Sequence, residues 1–280
     1  GLSICIVDES PLRLAAIFSP QFLYLLIGAS SLYVAGMIFN DLWDYEWDRR
    51  HRPERPLVTG AVAKLSAQIA SMGLLIGGTI FIIFGAIPAV RSYVTILVVL
   101  LVGLILIYNR WHKGVAWAPY VMGLCRFMLP LIGCAASGAA SVSSPSLILF
   151  LHALTLWILT VSVTFLARDE VRVTRHRSLK DKWLYGIPLP LMLILPWNVW
   201  TVFFVLGYGL WIWTSNRRHP LPAGVAGRVA DRLSAFPFID ALLVSSLWAI
   251  RAPSVVMTAL GFVAVCWILN LLSRKYIPAS

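Results

Sequence analysis

The chain has 280 residues, 59% of them hydrophobic and 12% charged, with a mean hydropathy of +0.82. A water-soluble domain carries about 25% charged residues, so this composition excludes one. The net charge of +11 would suggest nucleic acid in a soluble protein. In a chain this apolar, Lys and Arg instead serve the membrane surface and its anionic lipid headgroups, and no nucleic-acid partner is expected.

The sequence begins at Gly1, and residues 1–6 read as the tail of an apolar segment that started upstream. A single membrane domain over 1–280, lacking most of such a first helix, is therefore expected. Nine apolar segments follow, at 20–39, 63–87, 92–109, 115–138, 146–167, 183–195, 197–214, 235–250 and 253–272, the sixth and eighth being short. In lipid every backbone polar group must be satisfied internally, which leaves helices or a closed barrel. The runs are continuously apolar and lack the alternation a barrel needs. The fold class is thus all-α, a polytopic transmembrane bundle of eight to nine helices. Pro-rich stretches at 186–196 and 219–222 mark kinks or turns. Cys5, Cys125, Cys134 and Cys266 lie far apart in apolar segments, with no zinc-ligand spacing, and read as small core residues.

Charge is sorted by side. The connections after segments 1, 3, 5 and 7 and the C-terminal tail hold 19 Lys and Arg, whereas the opposite connections hold only Arg13, Arg91 and Arg251. By the positive-inside rule the loops at 41–64 and 168–182 share the cytoplasmic face of a bacterial inner membrane or an equivalent organelle membrane.

The first of these loops carries the densest chemistry. Residues 40–57 read N-D-L-W-D-Y-E-W-D-R-R-H-R-P-E-R-P-L, and five of the 12 acidic residues of the chain fall between Asp41 and Glu54. Asp41, Asp44 and Asp48 are spaced i, i+3, i+7, which puts them within about 60° on one helix face. Such carboxylates repel one another unless a cation joins them, and hard oxygen donors suit Mg²⁺, which binds through one or two carboxylates plus substrate phosphates. The bland alternative is a solvated helix end neutralised by Arg49, Arg50 and Arg52. Trp43 and Trp47 fall on the far side of the wheel and read as interface anchors or packing.

The run N-D-x-x-D-x-x-x-D at Asn40, Asp41, Asp44 and Asp48, followed by Arg55-Pro56-Leu57, resembles the first aspartate-rich motif of the UbiA superfamily of intramembrane prenyltransferases. The helix pattern extends the likeness over nearly the whole chain. The combination with Met122–Arg126 and Arg168-Asp169-Glu170-Val171 looks like the EboC-like branch. The resemblance implies about nine helices around a central, lipid-accessible cavity with two aspartate-rich motifs at its cytoplasmic mouth. It implies a prenyl diphosphate, Mg²⁺ and a lipophilic acceptor, aromatic rings foremost. Asp41, Asp44 and Asp48 would hold the metal, with Asn40 in support and Arg55 among the substrate contacts.

The second motif of the family departs from its pattern here. Asp169 and Glu170 are present, but the position four beyond Asp169 is Val173, and the loop is dominated by Arg168, Arg172, Arg175, Arg177, Lys180 and Lys182. Asp169 or Glu170 is expected to hold a second metal or to deprotonate the acceptor. Arg172 and its neighbours either bind diphosphate directly, since guanidinium matches phosphate oxygens bidentately, or simply form a positive-inside loop.

Arg126 stands inside an apolar run, where a charge costs several kcal/mol unless it meets a cavity or a partner. Two readings stay open: it grips the diphosphate, together with Lys113, or it forms a structural ion pair, for which Asp240 is a candidate. The leading functional expectation is Mg²⁺-dependent prenyl transfer within the membrane. A UbiA-type terpene cyclase, and a non-catalytic lipid carrier or assembly subunit, are the alternatives.

Overall fold

The computed structural model describes residues 19–113, 115–138, 147–169, 197–220, 224–246 and 253–276. These residues are helical with short connections and form two compact units, one within 15–142 and the other within 143–280. Among them, five helical stretches are long and apolar enough to cross a membrane: Pro20–His51, Lys64–Gly85, Pro88–Trp111, Ala118–Ala136 and Leu147–Arg168. The protein is an all-α, multi-pass membrane protein.

The first unit is organised by helix α1, Pro20–His51. Ser19 starts it, its hydroxyl accepting from the Phe22 N–H at 3.2 Å, with Pro20 in the first turn where a missing N–H costs nothing. At 32 residues α1 is about 48 Å long, well beyond the roughly 30 Å of hydrocarbon. Its apolar part ends near Phe39, so the polar continuation carries the helix past the lipid. The sequence-based boundary at 39 marks where hydrophobicity ends; the hydrogen-bonded backbone runs twelve residues further.

A four-residue helix α2, Pro56–Thr59, follows, and Gly60 closes it at φ 79°, a left-handed conformation suited to glycine. Helix α3, Lys64–Gly85, then returns along α1. Their crossing is nearly backbone to backbone. A Cβ on Gly28 would lie 2.6 Å from Ile82 Cγ1 and 2.8 Å from the Gly78 carbonyl oxygen; one on Gly78 would lie 2.9 Å from the Gly28 carbonyl oxygen. Small residues of this kind let membrane helices approach where no hydrophobic force drives them together. The buried line Ala67, Ser71, Leu75, Gly78, Ile82 and Gly85 runs down α3 at helical spacing. A 3-10 turn, Pro88–Val90, leads into α4, Arg91–Trp111, which packs on α5, Ala118–Ala136.

The second unit holds α6 (Leu147–Asp169), α7 (Val199–Arg218), α8 (Val225–Leu233), α9 (Phe236–Ser246) and α10 (Pro253–Tyr276). Leu151, Leu156, Leu159, Tyr208, Ala235, Ile239 and Leu242 form its core. Trp211, Phe238 and Trp267 meet in largely edge-on pairs, with centroids 5.3–6.4 Å apart. Arg228 donates to the His219 and Asn216 carbonyls at 2.6 and 3.1 Å, satisfying the end of α7. Helix α8 falls in a stretch that the hydropathy pattern treats as a charged connection. It buries Val225 and Ala230 but also Asp231 and Arg232, and these charges hide it from a window average. The segment expected at 183–195 lies outside the described residues.

The glycine contact yields a direct test. Gly28→Ala should lower stability by about 1–3 kcal/mol, because its new methyl meets backbone on α3. Gly77→Ala, with nothing within 4 Å, should be neutral or stabilising by up to about 1 kcal/mol. Thermal unfolding in detergent reads both.

Candidate functional site

The carboxylate stripe lies on α1 as the spacing expects, but its members take different neighbours. Asp41 and Asp48 line a cavity of about 420 Å³ together with Tyr45, Arg55, Val58, Val62 and Ser66. Its walls are the end of α1, the α2 turn and the start of α3. Asp44 points instead toward the end of α4. There Lys113 Nζ lies 2.7 Å and His112 Nε2 3.2 Å from Asp44 Oδ1.

The cations that answer these acids are not the adjacent ones. Arg49 reaches only Glu46, at 3.9 Å with both side chains about two-thirds exposed, a pair worth little in water. Arg52 lies with Cζ 5.7 Å from the Trp47 ring centre. The partner of Asp41 is Arg55, whose Nη1 donates to Oδ1 at 2.9 Å from the N-cap position of α2. The partners of Asp44 come from 68 and 69 positions away, at the end of α4. Among the described residues no ion pair joins Arg49, Arg50 or Arg52 to Asp41, Asp44 or Asp48, so the bland reading of a helix end neutralised by its own arginines finds no support there.

Asp48 is placed differently again. It is 4% exposed, and among the described residues no hydrogen bond or ion pair reaches its side chain. It also sits in the last turn of α1, toward the negative pole of the helix dipole. A carboxylate in a largely buried residue that faces a cavity, with no partner among the described residues, invites a cation into it.

His112 gives no signal in the sequence beyond its place beside Lys113. Its Nδ1 faces the Asn109 carbonyl at 3.0 Å, which fixes the ring while Nε2 meets Asp44. Tyr108 lies beside it, ring centres 5.4 Å apart, and Asn109 is buried. Tyr45, read from the sequence only as part of the run, lines the cavity and carries Lys64 Nζ 4.6 Å from its ring centre. Asn40 is half-buried one residue before Asp41.

Arg126 is half-buried in α5, with Cζ 5.2 Å from the Tyr33 ring centre on α1. Tyr33 thus presents its ring to a cation. Asp240, the candidate partner for Arg126, meets the buried His152 Nε2 at 3.2 Å within its own unit. Asp169 is the final residue of α6. Glu170 and Arg172 lie outside the described residues, as does the rest of the second loop.

Among the described residues, no three His, Cys, Asp or Glu side chains come together in a way that would hold a metal ion by themselves. Mg²⁺ does not require three: one or two carboxylates plus substrate phosphates are its usual set. Asp41 and Asp48 on one cavity, with hard oxygens and the Arg55 guanidinium at Asp41, fit that requirement.

The model of the UbiA prenyltransferase family matches residues 12–226. A relative, the digeranylgeranylglyceryl phosphate synthase of Sulfolobus acidocaldarius, is 36% identical over 80 residues, 28% of this chain and 29% of the relative. The match therefore spans under a third of the length of that enzyme. No solved structure matches the chain. The family match covers well over half of the sequence and includes the whole carboxylate site, and the chain belongs to the UbiA prenyltransferase family.

Proposed function

We propose that the protein transfers a prenyl group from a polyprenyl diphosphate to a lipophilic acceptor within the membrane, with Mg²⁺ as its cofactor. The observation that carries this reading is the nearly buried, unpartnered Asp48 sharing a cavity with Asp41 and Arg55. Asp41 and Asp48 would hold the metal. Asp44 would join them while Lys113 stays at its Oδ1 to meet the diphosphate. Bound there, Mg²⁺ supplies positive charge against the diphosphate as it departs.

The residues of the chain do the rest. Arg55 and Lys113 carry donors suited to phosphate oxygens, the guanidinium in a fork and the ammonium as a point charge. They offset the charge that builds as the C1–O bond of the prenyl donor breaks and its electron pair leaves with the diphosphate. The nucleophilic atom of the acceptor then bonds to C1 and releases its proton, for which Asp169 or Glu170 is the proposed base. Arg126 is proposed as a deeper anion contact, with Tyr33 beneath it presenting a π face. Arg172 and Asn40 remain proposed substrate contacts.

The acceptor is proposed as an aromatic ring or a lipid alcohol. The name of the Sulfolobus relative, which specifies geranylgeranyl groups on a glyceryl phosphate, favours keeping the second class. The sided charge supports a site opening on the cytoplasm.

Two measurements test the proposal. Purified protein incubated with Mg²⁺ and C10 to C20 prenyl diphosphates, with and without acceptors, should release pyrophosphate. Asp44→Ala and Asp48→Ala should each reduce release at least about 100-fold, the loss expected when a transition-state charge contact goes. Equal release from both variants and the parent would remove the carboxylates from the reaction. Product formed without acceptor would make the enzyme a cyclase. In the second measurement, Arg55→Ala should raise KM for the prenyl diphosphate by about tenfold while changing stability by under about 1 kcal/mol, since its ion pair with Asp41 is part-exposed.

A further inference from the structure

The sequence places Trp47 on the side of α1 away from Asp41, and an interface anchor is the obvious assignment. Its surroundings differ. Lys113 Nζ lies 4.1 Å from the Trp47 ring centre while also standing 2.7 Å from Asp44 Oδ1. The other contacts of the indole are the His51 ring, stacked at 4.3 Å and 13°, and the more distant Arg52 guanidinium at 5.7 Å. His51 is itself tied back to the Trp47 carbonyl at 2.9 Å, so the stack is held by the helix.

The ammonium of Lys113 is therefore seated by an anion and an aromatic face together. Its side chain is 40% exposed, so neither burial nor dense packing holds it. A lysine carries about 2 kcal/mol of rotamer entropy, which a ligand must otherwise remove when it binds. A cation over an indole face is attracted by the ring quadrupole, and Trp is the strongest aromatic for this. The carboxylate and the ring sit about one helical turn apart on α1, and both address the same nitrogen. His112 secures the arrangement from the other side by fixing Asp44.

We propose that Trp47 is a positioning residue for Lys113, holding its ammonium ordered at the carboxylate end of α1 so that it meets an incoming diphosphate already in place. This rests on the diphosphate reading above and names a residue that the aspartate motif does not include. The electrostatic face of the ring, not its bulk, is what the proposal requires.

The experiment titrates the full chain in detergent with inorganic pyrophosphate and Mg²⁺ by calorimetry. Trp47→Phe keeps a π face and Trp47→Leu keeps apolar volume without one. Trp47→Leu should weaken pyrophosphate binding by about three- to tenfold, and Trp47→Phe by no more than about twofold. Installing 3,4,5-trifluorophenylalanine at 47 should bring affinity down toward the Leu variant at unchanged melting temperature. This keeps the test informative if the Leu variant folds poorly. Equal affinity for the Phe, trifluoro-Phe and parent proteins would overturn the proposal while leaving the diphosphate site intact. Absence of any pyrophosphate binding by the parent would overturn the diphosphate reading itself, and this inference with it.

Discussion

Negative charge gathered on one face of a helix must be answered from elsewhere in the fold. Asp41, Asp44 and Asp48 rise along the polar end of α1, and the arginines next to them in sequence do not answer them. Arg55 reaches Asp41 because the chain turns straight after α1, the Arg55 N–H donating to the Arg52 carbonyl at 3.2 Å. Lys113 and His112 can reach Asp44 only because α4 ends level with it. Asp48 is left without an answer among the described residues, and it is the most buried of the three. The electrostatic demand of one stripe thus sets the positions of a loop, a helix end and a cavity.

Close helix packing makes this possible. The Gly28–Gly78 approach clamps α1 to α3 in its apolar half. The two helices then continue to the polar end, where Ser66, Ala67 and Ala70 of α3 form one wall of the cavity. Small side chains on α3 leave room that larger ones would fill. The same stretch of helix pairing that fixes the membrane unit therefore opens the space beneath Asp48.

Much of this was legible in the sequence because its signals are local. The i, i+3, i+7 spacing gave the single-face stripe, and continuous apolar runs gave the helices. The sequence singles out Arg55 and Lys113, and both stand beside the carboxylates. What spacing could not show is which acid takes which partner. Asp44 separates from Asp41 and Asp48 through contacts made by α4, some 68 residues on. His112 was missed for the same reason, since its role depends on meeting a distant helix. Trp47 was assigned from the wheel angle to the far face. It lies only about 60° from Asp44 on that wheel, and a long lysine from another helix bridges the gap. Helix α8 was missed because amphipathic segments average to a low hydropathy.

The division of the stripe also bears on how a metal would enter. With Asp41 and Asp44 each satisfied by a cation, the ligand-free site carries little net negative charge apart from Asp48. A diphosphate that attracts Arg55 would free the carboxylate it covers, so metal and diphosphate should bind together rather than in independent steps. The most direct test is electron paramagnetic resonance of Mn²⁺ added to the full chain with and without inorganic pyrophosphate. A protein-bound Mn²⁺ signal should appear, strengthen when pyrophosphate is present and disappear in an Asp41→Asn, Asp48→Asn double variant. An unchanged bound signal in that variant would contradict this placement of the metal.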